Sequence, residues 1–570
     1  EEVDALTGPA MGRPKSATFR TADLVGLDTL AHVAMTAYKK CEDDEAREVF
    51  KIPDFLNQMI ESKWLGQKTK QGFYKKVDKE ILSLNVDSFE YEPRKKVRFD
   101  GLRMAKRSHN TPDKIRALAY NPDKAGKFAW EILSNTLIYS ANRIPEIADD
   151  IVNVDNALKW GFGWELGPFE TWDALGVSHS VKRMKDEGKK VPAWVDEMVK
   201  NGKHQFYQSG EGRQYFYDQS EKKHRPVPEK PKVIKLNLEK EKDRVLRKNW
   251  SASLIDLGDG ILCAQFHSIA QPNWNPLDAA MFDILMEALE IIPADGYKGL
   301  IIANQAPNFS AGANLALILD LCEKQEWSHL ERLSKTFQDV GQKLKYAPFP
   351  VVSAPFNMCL GGGFEVAAAA NRMAVSAELY MGAVEVGVGL IPGGGGTLRV
   401  LSNFHNMLQK RRPGPFPPVQ KAFETIAYAK VSTSAAAAIP MGYLTKHDRI
   451  VINPEHLIYE AKQVALKMTE DYQPPEPNNE MYLPGEGGRM AIEVTMDGLL
   501  KQGAISEHDF LIGKNLAYVL TGGDKASFTT PVDEQYLLDL EREVFISLCK
   551  EKKSQERMAH MLKTGKPLRN

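Results

Sequence analysis

Cysteine is scarce in this chain. The five present, Cys41, Cys263, Cys322, Cys359 and Cys549, are scattered, odd in number and never spaced as CxxC. That usage excludes a disulfide framework and a cysteine-rich zinc site, and fits a reducing compartment. No apolar run approaches the roughly 20 residues that a membrane-spanning helix needs. Excess charge of one sign is missing too: 74 Lys and Arg against 75 Asp and Glu leave a net charge of −1. Nothing global therefore draws the chain to nucleic acid or to a membrane surface. Local basic runs, Arg94-Lys95-Lys96 and Lys410-Arg411-Arg412, read as solvated loops. There is no GxSxG elbow, no HExxH pair and no GxxxxGK[ST] loop, which sets aside the commonest serine-hydrolase, zinc-protease and nucleotide-phosphate chemistries. An initiator methionine is also missing: the chain opens Glu1-Glu2-Val3-Asp4, which reads as a fragment with a start upstream.

What is present suggests several domains in 570 residues. The first part reads as helical and duplicated. Phe19, Asp23 and Gly26 recur as Phe169, Asp173 and Gly176 at a constant spacing, and each copy is expected to close on an aromatic stretch, Gly72-Phe73-Tyr74 in one and Tyr215-Phe216-Tyr217 in the other. The pattern predicts a first helical copy over 1–76, a linker over 77–108, a second copy over 109–220 and a charged linker over 221–248. The period then changes. Residues 251–268 read as two strands around Gly258-Asp259-Gly260, and Gly299–Ala303 and Pro350–Ala354 read as short buried strands between helices. An α/β domain is thus expected over 249–450 and a helical region over 451–570, with Leu537, Leu540, Val544 and Leu548 on one apolar helix face.

Three glycine-rich segments lie in the α/β part: Phe309–Leu315 (FSAGANL), Leu360–Glu365 (LGGGFE) and Val384–Thr397 (VEVGVGLIPGGGGT). Glycine lets a backbone approach a ligand closely, and a helix start presents free N–H groups to it. Two such donors converging would make an oxyanion hole. Glu365 follows the triple glycine and Glu385 sits in an apolar, glycine-rich run, where burial would raise its pKa. Two carboxylates in one pocket can divide into a general acid and a general base. Two other runs, Gly161-Phe162-Gly163 and Gly387-Val388-Gly389, imitate a dinucleotide fingerprint but have one residue too many before the last glycine. Ser310 has no histidine in an obvious partnering role.

At these motifs the chain resembles the crotonase (enoyl-CoA hydratase/isomerase) superfamily, with all three segments in family order. The resemblance implies a ββα-spiral α/β fold, with Ala313 and Gly362 as the oxyanion donors, Glu365 activating water and Glu385 exchanging the α-proton. Ala311, Gly312, Leu315, Gly361 and Gly393 become the expected substrate-binding positions. Asn314 departs from the Asp of many members, a change expected to touch the turn rather than the chemistry, and 409–418 reads as an insertion without an assigned role. The duplicated part resembles the C-terminal helical domain of 3-hydroxyacyl-CoA dehydrogenases, on Gly167-Pro168-Phe169-Glu170 and Gly72-Phe73-Tyr74. Together they resemble bacterial dehydrogenase/hydratase fusions of fatty-acid β-oxidation. The resemblance implies acyl-CoA as substrate, NAD in the full-length protein but no cofactor or metal site in this chain, and a cytoplasmic location. It leaves open a homo-oligomer and a thiolase partner. The NAD-binding domain is expected upstream of Glu1, so that this chain hydrates without dehydrogenating. Dehydrogenation as the main activity of the intact protein, double-bond isomerisation and a non-catalytic acyl-CoA-binding scaffold remain alternatives.

Overall fold

Two aspartates, one buried and one half-buried, organise each copy of the duplicated helical part. In the computed structural model, which describes residues 1–409 and 414–570, the Asp23 carboxylate accepts the backbone N–H groups of Phe73 and Tyr74 at 2.8 and 2.9 Å. Asp173 does the same for Phe206 and Tyr207 at 2.7 and 2.8 Å. The second aspartate caps a helix and takes a tyrosine hydroxyl: Asp4 accepts from Phe19 N and Tyr74 Oη, and Asp155 from Phe169 N and Tyr207 Oη. The true counterpart of Phe73-Tyr74 is therefore Phe206-Tyr207, not the expected Tyr215-Phe216-Tyr217. Those latter residues lie on the next strand, and the aspartate partners, not the aromatic spelling, define equivalence.

The expected linker over 77–108 is also revised. Strands β1 (Tyr74–Val77), β2 (Glu80–Asn85) and β3 (Glu90–Pro93) form an antiparallel meander there, followed by the helix Asp100–Arg107. The second copy ends in the same device, β4 (Tyr207–Gly210), β5 (Arg213–Asp218) and β6 (Lys223–Pro226). These strands are short and mostly only partly buried, and outside β5 their sequence shows little apolar alternation. Residues 1–228 make up one compact unit and 229–570 a second.

Burial raises Asp155 and Asp173, each to about 7, against the pull of the amides that they accept. A carboxyl with a raised folded-state pKa keeps its proton where the unfolded chain has lost it. Its stabilising contribution is thus full below about pH 4 and lost as pH rises through about 7. We expect the unfolding free energy of this unit, followed through Trp130 and Trp172, to fall over that window by on the order of 1 kcal/mol per pH unit per group. Asp173→Asn should flatten the slope; an unchanged slope would refute the assignment.

The second unit is built on a seven-stranded sheet in the order β15-β13-β11-β10-β9-β8-β7. Its strands are β7 (Val245–Lys248), β8 (Ala252–Asp256), β9 (Ile261–Phe266), β10 (Gly299–Ala303), β11 (Val351–Ser353), β13 (Arg372–Ser376) and β15 (Arg449–Val451). Strands β7, β8 and β9 pair antiparallel; from β9 onward every pairing is parallel. The expected charged linker over 221–248 accordingly holds β6, a short helix Leu236–Glu241 and β7. Strand β10 is buried at every position, as a parallel strand covered on both faces must be. One face packs on the main core; the other is sealed by Leu457, Ile458, Ala461 and Ala465 of the helix Leu457–Met468.

A second, two-stranded parallel sheet pairs β12 (Asn357–Leu360) with β14 (Leu379–Gly382). Both of its strands run into glycine-rich segments that carry the glutamates. The helical region after β15 includes Gly485–Lys501, Glu507–Leu520, Glu534–Lys550 and Lys552–Thr564. Within the basic run and the insertion expected near residue 410, positions 410–413 lie outside the described residues. No helix of the described residues is long and apolar enough to cross a membrane.

Candidate active site

Strand β12 ends at Leu360, and Gly361 turns the chain with φ +52°, a conformation that disfavours any side chain. The helix Gly362–Ala368 starts immediately after, so the Gly362 amide has no intrahelical acceptor. The segment 309–315 lies alongside: Leu360 N donates to Ser310 O at 3.0 Å and Ser310 N to Met358 O at 3.0 Å. Gly312, at φ +109°, turns this segment back so that its carbonyl accepts Leu277 N at 2.9 Å. Two buried asparagines, Asn275 and Asn304, both donate to Phe309 O at 2.9 Å and hold the loop from beneath. Neither stands out in the sequence, where a lone asparagine carries no spacing signal.

The result is a pair of undirected amides. Neither Ala313 N nor Gly362 N donates to any described residue. They are close neighbours: a Cβ placed on Gly362 would lie 3.1 Å from Ala313 N. Ala313 is exposed and Gly362 buried. Asn314 caps the helix Leu315–Glu323 through its side-chain oxygen to Leu317 N at 3.2 Å, the turn role expected for it. Ser310 Oγ accepts Gly312 N at 3.1 Å and stays wholly buried, which suits a loop brace.

Glu365 is 4 % exposed, and its Oε1 accepts Gly394 N at 2.7 Å and Gly396 N at 2.8 Å. Glu385 opens the short 3₁₀ turn Glu385–Val388 after β14; the residue is half-buried, yet its Oε2 is enclosed and has no hydrogen-bond partner. Its Oε1 approaches the turn at Gly361, 3.0 Å from where a Cβ would stand. Burial raises both carboxyls, Glu385 to about 7 and Glu365 well above the ordinary range, and the charge of Glu385 adds to the rise of Glu365. The structure thus brings Ala313, Gly362, Gly361, Gly312 and Glu385 together, with Glu365 in the helix that Gly362 begins. Ala311 and Leu315 flank this group along the loop, where Ala311 N donates to Trp274 O at 2.8 Å. Gly393 faces elsewhere: its carbonyl accepts Ser334 Oγ at 2.6 Å and its Cα packs on the Phe545 ring.

The sequence pattern did not reveal the C-terminal helices as the back wall of this site. Glu541, fully buried in the helix Glu534–Lys550, accepts Gly395 N at 2.6 Å and Thr397 N at 3.0 Å. Ser554 donates to Gly389 O at 2.6 Å and supports the turn behind Glu385. A signal for Glu541 did exist: it lies four residues after Leu537 and three before Val544, inside the apolar stripe itself. A cavity of about 670 Å³ bordered by Lys15, Arg20, Tyr74, Arg94 and Lys96 is lined by first-unit residues alone and includes none of Glu365, Glu385 and Glu541. Neither imitation of a dinucleotide fingerprint has the required strand-to-helix geometry: Gly161 and Gly163 end the helix Ile151–Phe162, and Gly387 and Gly389 belong to the 3₁₀ turn. These residues do not fit NAD.

Residues 260–404 match the family model "Enoyl-CoA hydratase/isomerase", and residues 1–76 match "3-hydroxyacyl-CoA dehydrogenase, C-terminal domain". A Bacillus subtilis (strain 168) protein named "Probable 3-hydroxyacyl-CoA dehydrogenase" is 47% identical over 569 residues, which is all of this chain and 70% of that protein. The chain belongs to the 3-hydroxyacyl-CoA dehydrogenase/enoyl-CoA hydratase fusion family. This fusion protein is multidomain, with a crotonase-fold domain and a helical dehydrogenase C-terminal domain, and is a fatty-acid oxidation enzyme. A Rickettsia felis relative named "Putative fatty acid oxidation complex trifunctional enzyme" is 25% identical over 98% of the fusion chain and 69% of its own length. A solved carnitinyl-CoA dehydratase from Mycobacterium thermoresistibile aligns over 56% of this chain and 91% of its own at 16% identity and a TM-score of 0.41. The family implies NAD for the full-length enzyme.

Proposed function

We propose that the second unit of this fusion protein hydrates trans-2-enoyl-CoA. The carrying observation is the meeting of two undirected amides, Ala313 N and Gly362 N, with two buried carboxyls. The thioester oxygen accepts both amides, each contributing about 3 kcal/mol as negative charge builds on it. Glu365 takes a proton from water as the water oxygen attacks C3, and Glu385 delivers its own proton to C2. The product is a 3-hydroxyacyl-CoA, and a proton passes back from Glu365 to Glu385 through solvent.

One shared proton is needed for this division, and burial with mutual repulsion supplies the reason that the pair retains one near neutral pH. Burial raises both carboxyls. The donors nevertheless favour Glu365 as the anion, since its Oε1 receives two amides while Glu385 Oε2 receives none. We therefore assign the shared proton to Glu385. In the intact protein, the 3-hydroxyacyl-CoA is the substrate for NAD-dependent dehydrogenation, a reading favoured by the match of residues 1–76.

The test is hydration of a short and a long trans-2-enoyl-CoA by the chain, read as loss of the enoyl-thioester absorbance. Conversion of a 3-enoyl-CoA to its 2-enoyl isomer without subsequent hydration would favour the isomerase instead, and no turnover of either would favour the scaffold. For the intact protein, NADH formation from a 3-hydroxyacyl-CoA reads the second activity.

A further inference from the structure

Glu541 reaches the site from a helix more than 140 residues away in the chain, through its bonds to Gly395 and Thr397. Its carboxylate and that of Glu365 grip one glycine run from opposite sides. Glu365 takes the amides of Gly394 and Gly396; Glu541 takes those of Gly395 and Thr397. The amides of four consecutive residues thus alternate between two acids. Glu541 also accepts the Thr397 hydroxyl and Gln338 Nε2, the latter at 3.1 Å.

Resting on the hydratase reading, we propose that Glu541 is a positioning residue for this reaction: its anion sets the glycine run that orients Glu365 and biases which carboxyl of the pair holds the shared proton. Burial raises the Glu541 carboxyl above its ordinary range, and four donors aimed at it favour the ionised form and offset part of that cost. A negative charge at Glu541 then opposes ionisation of both Glu365 and Glu385. The packed elements bring other charges nearby, but these have partners of their own. Arg542, on the same helix, donates to Gln338 and Asp539; Arg399 donates to Gln342. Glu534 accepts Gln342 and Tyr346, and Lys345 donates to Ala370 O. Glu541 therefore acts on the two site glutamates with no cation among the described residues bound directly to it.

The test is the pH profile of hydration for the intact chain carrying Glu541→Gln or Glu541→Asp. Loss of the charge in Glu541→Gln should move both limbs of the profile to lower pH by about one unit, with kcat reduced about tenfold and KM little changed. Glu541→Asp keeps the charge and should keep the limbs in place while kcat falls. Where Glu541→Gln does not fold, Thr397→Val reads the same coupling. Without the hydroxyl donor the Glu541 carboxyl rises further and holds its proton over more of the pH range, so the limbs should again shift to lower pH. A support role alone would lower the melting point and leave the limbs where they are, and that result would overturn the proposal. Absence of hydration in the unmodified chain would instead sink the reading of the whole site, which keeps the two failures apart.

Discussion

Glu385→Gln is expected to lower kcat for hydration by about 10²–10⁴-fold while leaving KM close to its original value. The amide matches the carboxyl in shape but has no proton to give to C2. The change should also be well tolerated by the fold, because Glu385 Oε2 has no partner to lose. In the unmodified chain, hydration should decline as pH rises through about 7, since the raised pKa of Glu385 marks the pH at which the acid is spent. That alkaline limb should disappear in Glu385→Gln. Glu365→Gln makes a matched test, because its side-chain oxygen can still accept Gly394 N and Gly396 N. A variant of either residue retaining hydration within about tenfold would contradict the two-carboxyl mechanism.

The second large effect concerns a donor that no side-chain truncation can remove. Ala313→Pro deletes one amide N–H, and we expect a fall in kcat of about 10²–10³-fold. The structural cost should be small for two reasons. Ala313 N donates to no described residue, while the neighbouring bond that anchors this loop uses Gly312 O. The residue before the new proline is Gly312, which has no Cβ to clash with the proline ring. Near-UV circular dichroism would check the fold, and a substrate-saturation curve would separate kcat from KM. A loss confined to KM would mean that Ala313 N binds the ground state only.

Elements with a strong local signature were legible in the sequence. The Gly258-Asp259-Gly260 hairpin, the buried run Gly299–Ala303 and the triple glycine before Glu365 each carry their structure in adjacent residues, and each stands where it was expected. The meanders β1–β3 and β4–β6 were not legible, because short, partly buried strands need little apolar alternation and look like charged linkers. The pairing of the two aromatic endings was misread for a related reason. Tyr215-Phe216-Tyr217 resembles Gly72-Phe73-Tyr74 in spelling, but equivalence is set by which amides reach Asp23 and Asp173.

The chemistry on offer was already present in the order of the residues: glycines where backbone must come close, and two acids beside them. Those properties belong to single residues and their immediate neighbours, which is why a linear chain displays them. Folding alone established that Ala313 N and Gly362 N lie side by side without acceptors, that Glu385 Oε2 is enclosed, and that Glu541 closes the far side of the glycine run. Those facts depend on β12 packing beside the 309–315 loop and on a helix from the end of the chain folding back behind the site. Hydrogen-bond direction and desolvation arise between segments distant in sequence, so no local pattern contains them.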